Sequence, residues 1–560
     1  MTNDLSLDGE DFDPDALYFV PLGGAGEIGM NLNVYGYGGK WLIVDLGVSF
    51  ADETTPGVEI ILPDPAFVED RVADLAGIVV THAHEDHLGA IPYLWEDLGC
   101  PVYCTPFAAA VLRAKLIERG LQGQVKLVEI PPAGRFKVGP FDLELITVTH
   151  SIPEPGALVI QTPAGTVLHS GDWKLDPDPI IGTVADEAAL RRLGESGVDA
   201  LVCDSTNALV PGVSGSEAAV RDSLIELFGR YDNRIAIGCF ATNVARLHSI
   251  AVAAQANDRH VALVGRSLWR IDGAARSNGY LTDLPPFVTE KEAGFVPKEK
   301  LVLICTGSQG EPRAALSRIA EGDHPEIDLE RGDVVIFSAR EIPGNEKAIA
   351  RVQNGLIRRG VEVVTADDAF VHVSGHPARD ELVSMYQWVR PKVAIPVHGE
   401  QRHLQANAKL ARDCQVPDAI VPEDGMVIRI GPGKARVEGY VSTGRLCVDG
   451  KRIVPLGSGA MRSRVRMAQN GAAVVTLVLG PKGDLLADPR LSVLGLYEED
   501  EVEDELPELV DIVRTAVEKL PLAQRQDDQI VREAARLAVR RTFGSTQGRK
   551  PVTEVHLIRV

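Results

Sequence analysis

The densest chemistry in the chain lies at His82-Ala-His-Glu-Asp-His87, where three imidazoles and two carboxylates fall within six residues. Imidazole and carboxylate together suit zinc or manganese. In an extended loop, alternation aims His82 and His84 at one point, and Asp86 and His87 can then face a second point nearby. Four potential ligands in so short a span suggest two metals rather than one. Packed this tightly, they fit neither an apolar core nor an ordinary solvated surface. The run Ile78-Val-Val80 just before them reads as the end of a buried parallel strand, because β-branched runs suit a sheet covered on both faces. The ligands then sit at the strand's carboxyl end, where open α/β sheets place their sites.

The same device recurs along the chain. Trp41–Gly47 reads as a buried strand ending near Asp45, a carboxylate that either orients metal ligands from behind or caps a turn; its company favours the former. Strands read over Phe141–Thr149, Thr166–Asp172 and Ala200–Asp204 deliver His150, Asp172 and Asp204, and Val393–Glu400 delivers His398. The glycine-rich Gly23–Asn31 is not GxGxxG and leads into a strand, so it reads as tight turns. From about 207 the pattern becomes regular βα alternation, read as an inserted domain. Two polar, glycine-bearing loops there, Thr306–Pro312 and Ser338–Glu346, could hold phosphate through backbone N–H groups or be plain turns. Ser308 in the first loop and Asn243 at a helix entry are the candidate substrate contacts. Arg266, Arg270 and Arg313 read more readily as surface charge than as contacts.

These readings divide the chain into a flexible tail (1–16), a catalytic domain in two parts (17–206 and 361–445) around an insertion (207–360), a linker (446–460) and a small C-terminal α/β domain (461–560) expected to serve assembly. An apolar content of 45% and a mean hydropathy of +0.01 are those of an ordinary globular protein. No apolar run reaches membrane-spanning length. The acidic N-terminus lacks a signal-peptide core, which makes the cytoplasm the expected compartment. Seven cysteines without a CxxC pair read as reduced thiols. A net charge of −22 argues against general nucleic-acid binding, not against a nucleic-acid enzyme.

The HxHxDH run at 82–87 with the later His150, Asp172 and His398 resembles the metallo-β-lactamase superfamily signature. The insertion, Asp204, His372-Val-Ser-Gly-His376 and Ile395-Pro-Val-His-Gly-Glu400 resemble the β-CASP nucleases. From about residue 17 to 560 the chain is similar to the bacterial ribonuclease J family, on the Gly23–Asn31 start, Ile342-Pro-Gly-Asn-Glu346 and the additional C-terminal domain. The resemblance implies an α/β fold: a metallo-β-lactamase αββα sandwich with an inserted β-CASP α/β domain and a small C-terminal α/β domain. It implies two divalent metal ions, zinc first, with manganese or magnesium as alternatives. One would take His82, His84 and His150, the other Asp86, His87 and His398, with Asp172 bridging. Asp204, His376 and Asp86 are the implied catalytic residues, His376 as the acid for the leaving oxygen. His372, Val373, Ser374, Gly375 and His376 form the implied substrate loop. The implied activity is 5′→3′ exonucleolytic, with endonuclease activity, on single-stranded RNA in mRNA decay and rRNA maturation. A homodimer or homotetramer and RNA-decay protein partners go with it. Competing readings are another hydrolase of the superfamily, a DNA-directed nuclease and a non-catalytic scaffold.

Overall fold

The computed structural model describes residues 6–52, 54–342 and 344–560. The chain forms two compact units, one running up to Ser49 and resuming over Leu62–Gly444, the other made of Phe50–Ile61 and Arg445–Val560.

The first unit is built on two large sheets. In one, eight strands include Leu17–Gly23, Leu32–Tyr37, Lys40–Leu46 and Leu75–Val79; in the other, seven include Phe141–Thr147, Gly156–Thr162, Gly165–His169, Ala200–Asp204 and Val393–Val397. Leu17, Phe19, Leu42, Val44 and Val79 share one buried core with Leu143, Leu158, Val202 and Ile395, so the sheets lie face to face. The outer face of the second sheet is covered by helices Glu187–Ser196, Arg379–Val389 and Gln401–Asp413 through Leu190, Leu382, Met385 and Ala408. Ala200–Asp204 and Val393–Val397 are buried at every position, as two-sided coverage demands.

Strand direction is what gathers the site. Lys40–Leu46 pairs parallel with Leu75–Val79, and Gly165–His169, Ala200–Asp204 and Val393–Val397 lie side by side in parallel. Their carboxyl ends therefore align in each sheet, although the residues they carry span Asp45 to His398.

The insertion is an all-parallel five-stranded sheet in the order 260–264, 301–305, 235–238, 334–337, 362–364, with its own core around Leu303, Leu316, Val335 and Ile349. Its last strand, Glu362–Val364, pairs with Val334–Phe337, so the sheet extends past the boundary expected at 360. The tail is not loose over its described part: Leu7 N–H donates to the Tyr440 carbonyl at 2.8 Å, and Phe12 packs edge-on against Tyr18, Trp41 and Phe67. Residues 1–5 lie outside the described residues.

In the second unit, helices Glu499–Glu518 and Asp528–Thr546 pack on one face of a three-stranded sheet, order 490–494, 472–479, 552–559. The acidic run from Glu498 forms the first turns of a helix, where carboxylates favour the positive dipole end. The expected linker is structured: Arg445–Asp449 and Arg452–Pro455 form a hairpin in a four-stranded sheet with Ser49–Phe50 and Ile60–Pro63. Its partners lie nearly 400 residues upstream, and no local pattern announces such a pairing. All seven cysteines are free. Among the described residues no helix is long and apolar enough to cross a membrane.

Candidate metal centre

Besides an overlapping third set at Asp172, Asp204, His376 and His398, the strand ends bring two quartets of donors together: His82, His84, His150 and Asp172, and Asp86, His87, Asp172 and His398, each with ligand atoms within 4.8 Å of one another. Asp172 belongs to both. In the first, His84 Nδ1 lies 3.1 Å from His82 Nε2 and 3.0 Å from His150 Nε2. In the second, Asp172 Oδ2 is 3.2 Å from His87 Nε2, and Asp86 Oδ2 is 3.0 Å from His398 Nε2.

The surroundings fix the ring protons. Asp45, fully buried with a left-handed φ of 64°, accepts from Thr81 N–H and Thr81 Oγ1, both at 2.8 Å. With its hydroxyl proton so committed, Thr81 Oγ1 accepts from His82 Nδ1 at 3.0 Å. The same Asp45 accepts from His87 Nδ1 at 2.7 Å. His150 Nδ1 donates to the Gly375 carbonyl at 2.5 Å, and His398 Nδ1 to Thr206 Oγ1 at 2.8 Å. Four rings thus spend their outer N–H on the protein and point their other nitrogen inward. Their inner nitrogens lie about 3 Å from His84 Nδ1 or from the carboxylates of Asp172 and Asp86, an imidazole and carboxylate donor set that fits divalent metal ions.

The charges agree. Burial pushes His84 down to about 4, against the pull of Asp86, and His82 and His150 also fall well below the usual range, chiefly through burial. Burial acts the same way on His87 and His398, but the Asp172 charge leads a set of carboxylates that reverses it and raises both. Asp172 and Asp86 are held low despite burial, by His398 and His87 for the first and by His87 and His398 for the second.

Beside the quartets, His376 Nδ1 donates to Asp204 Oδ2 at 2.8 Å, and its ring stacks on His398 with centroids 5.5 Å apart. Burial depresses His376, yet Asp204 and Asp172 outweigh it and raise its pKa. Gly375 must be glycine: a Cβ there would meet His150 Cε1 at 2.7 Å. In the same loop both ring nitrogens of His372 are buried without a hydrogen-bond partner, and burial followed by the charges of Arg246, Arg340 and Lys174 keeps the ring neutral. Ser374 Oγ accepts from Asn207 Nδ2 at 2.8 Å; Val373 is buried.

Two expected substrate contacts, Asn243 and Ser308, are buried. Asn243 is the cap of helix Val244–Ala256: its side-chain oxygen accepts from Arg246 N–H at 2.8 Å, and the residue is 5% exposed. Ser308 is likewise buried, and its neighbour Gln309 ties the two polar loops together by donating to the Arg340 carbonyl at 2.8 Å and accepting from Ile342 N–H at 2.9 Å. Arg270 is paired with Glu118 at 3.1 Å. The sequence reading missed Thr81, Thr206, Asn31, Asn207 and Arg340. Asn31 Nδ2 reaches His87 Nε2 at 3.2 Å, and Asn207 donates to the His376 carbonyl at 3.0 Å while accepting from Arg340. Thr206 and Asn207 directly follow Asp204, a polar run at a strand end that could have been read; Arg340 gives no such signal.

Comparison with known proteins covers nearly the whole chain. Residues 40–206 match a β-lactamase superfamily domain, 232–356 the β-CASP domain of ribonuclease J, 360–418 a Zn-dependent metallo-hydrolase RNA specificity domain and 459–560 the ribonuclease J C-terminal domain. The chain is 45% identical to the ribonuclease J of Sinorhizobium meliloti over 98% of both chains, and 40% identical to that of Mycolicibacterium smegmatis over 96% of both. A crystal structure of an Enterococcus faecalis protein of unknown function shares the fold, with a TM-score of 0.53 and 16% identity over 74% of this chain and all of that one.

Proposed function

The chain belongs to the ribonuclease J family of metal-dependent hydrolases acting on RNA, and from that premise we propose that it degrades single-stranded RNA 5′→3′ from 5′-monophosphorylated ends, with endonucleolytic cleavage as a second mode. The observation that carries this reading is the pair of donor quartets sharing Asp172, with the His376–Asp204 pair beside them. His82, His84 and His150 would hold one divalent ion and Asp86, His87 and His398 the other, with Asp172 common to both. Zinc suits this imidazole-rich set, with manganese or magnesium as alternatives. When bound, the two ions would supply an activated water and neutralise charge on the phosphodiester.

The chain's own groups do the rest. Asp45 orients His82, through Thr81, and His87 directly, so one carboxylate sets a ligand of each quartet. His376, held through Nδ1 by Asp204, presents its other nitrogen as the acid that protonates the departing 3′ oxygen, a contribution of about 10²–10⁴-fold. Val373, Ser374 and Gly375 shape the loop for a substrate phosphate, and the unpartnered nitrogens of His372 offer it a donor. Asn243 and Ser308 act behind this surface, through the helix and the loop they hold. The reading extends to mRNA decay and rRNA maturation in the cytoplasm, to a homodimer or homotetramer assembled through the C-terminal domain, and to RNA-decay protein partners.

The test is a substrate panel. Purified protein with zinc or manganese is given 5′-monophosphorylated single-stranded RNA, DNA of the same sequence and a chromogenic lactam. Release of mononucleotides from RNA alone, lost in His376→Ala, supports the proposal. RNA left intact under every metal, or DNA consumed equally fast, would overturn it.

A further inference from the structure

The second unit holds a basic groove that the catalytic centre does not use. A cavity of about 380 Å³ lies between helix Gly459–Asn470, helix Asp528–Thr546 and strand Val552–Arg559, lined by Arg466, Asn470, Arg536, Arg540, Lys550 and Thr553. We propose that this groove binds the phosphate backbone of single-stranded RNA, a site additional to the metal centre; the proposal rests on the ribonuclease reading only for the identity of its polymer.

Charge is segregated here against the trend of the chain. The protein carries a net −22, yet residues 445–560 hold 18 Lys and Arg against 17 Asp and Glu, and seven of those acids are confined to Glu498–Glu505. Arg536 and Arg540 stand four apart on one helix face, an arrangement that repels. Only Arg536 has a carboxylate, Glu533, through two contacts of 2.7 Å. Arg540 is held by the carbonyls of Pro551 at 2.8 Å and Lys550 at 3.3 Å, which fix its guanidinium without neutralising it. Arg466 and the Lys550 ammonium have no acidic partner among the described residues. Cations that share one groove in this way attract an anion to it.

The geometry favours a polymer over a lone phosphate. Arg536 and Arg540 are separated by a rise of about 6 Å along the helix, and Arg466 and Lys550 extend the lining onto neighbouring segments, so the groove offers more than one phosphate-sized position. Guanidinium forks match phosphate oxygens, and Asn470 and Thr553 add neutral polar groups to the lining.

The experiment uses the full-length holoenzyme and a fluorescent 30-nucleotide single strand of phosphorothioate RNA, titrated by anisotropy over a range of salt. In Arg466→Ala/Lys550→Ala, two lost phosphate contacts should weaken binding at low salt about tenfold and flatten the slope of log K against log salt by about 1.4. Arg466→Lys/Lys550→Arg should restore both, and hydrolysis of a five-nucleotide RNA should equal wild type in every variant. Unchanged affinity and slope overturn the proposal, as does a loss confined to an acidic peptide competitor, which would mark a protein site. Wild type that hydrolyses RNA while the variant binds it normally refutes the groove alone. Wild type that binds RNA through the groove and hydrolyses none refutes the ribonuclease reading alone.

Discussion

At the residue scale, proton placement organises the site. Asp45 touches no substrate, yet it orients one ligand in each quartet. Asp45→Asn should therefore lower metal affinity by about 10–100-fold, measured by competition with a chromophoric chelator while the far-ultraviolet spectrum stays native. Unchanged affinity would remove Asp45 from the account. The His376–Asp204 pair predicts a pH effect of definite sign. Burial lowers the His376 pKa, Asp204 and Asp172 more than restore it, and the net shift is upward. The acid form is present below that raised value and lost as pH climbs through it, so kcat should fall on the alkaline side. Asp204→Asn removes the leading charge and should move that limb to lower pH; a limb that stays put would assign the acid elsewhere. The ligands themselves were legible because each follows an apolar, β-branched run. Thr81 and Thr206 each lie just past a strand end; Thr206 stands in a polar run that could have been read, whereas Thr81 carries no signal of its own beside the ligands. The Arg340–Asn207 contact joins residues 133 apart in sequence.

At the element scale, parallel strands carry donors from distant segments to one edge, and a buried ion pair braces the insertion against the segment around Val371 that follows it. Arg246 is fully buried; it donates to Glu217 at 3.0 and 3.1 Å and to the Ser338 and Val371 carbonyls at 2.9 Å. Glu217→Leu would strand the guanidinium, and urea unfolding should show a loss of about 3–5 kcal/mol. A loss under about 1 kcal/mol would mean that water reaches Arg246 and that the pair is no brace. Sequence periodicity found the βα repeat because each strand is short, apolar and followed by a helix. It misjudged the tail and the linker because those pair with partners far away in the chain, and register between distant segments leaves no local trace; the strand at 362–364 completes the repeat with its neighbour Val334–Phe337, one helix upstream, and only the boundary was set too early.

At the scale of the whole molecule, chemistry and charge are divided. The first unit holds the donor quartets, while the second combines a near-neutral balance with the basic groove and a sheet whose outer face has Leu494 65% and Ile558 49% exposed. Assembly through this domain predicts that a chain ending before Gly459 forms particles of fewer chains by light scattering than the full chain; an unchanged number of chains per particle would exclude the role. The central claim is that two divalent ions act together on RNA. Metal-depleted protein should be titrated with zinc or manganese while release of mononucleotides from 5′-monophosphorylated RNA is followed. The account predicts that activity returns only as two equivalents per chain are bound, and that His84→Ala never recovers it. Full activity with no added metal, or a plateau at one equivalent, would contradict it.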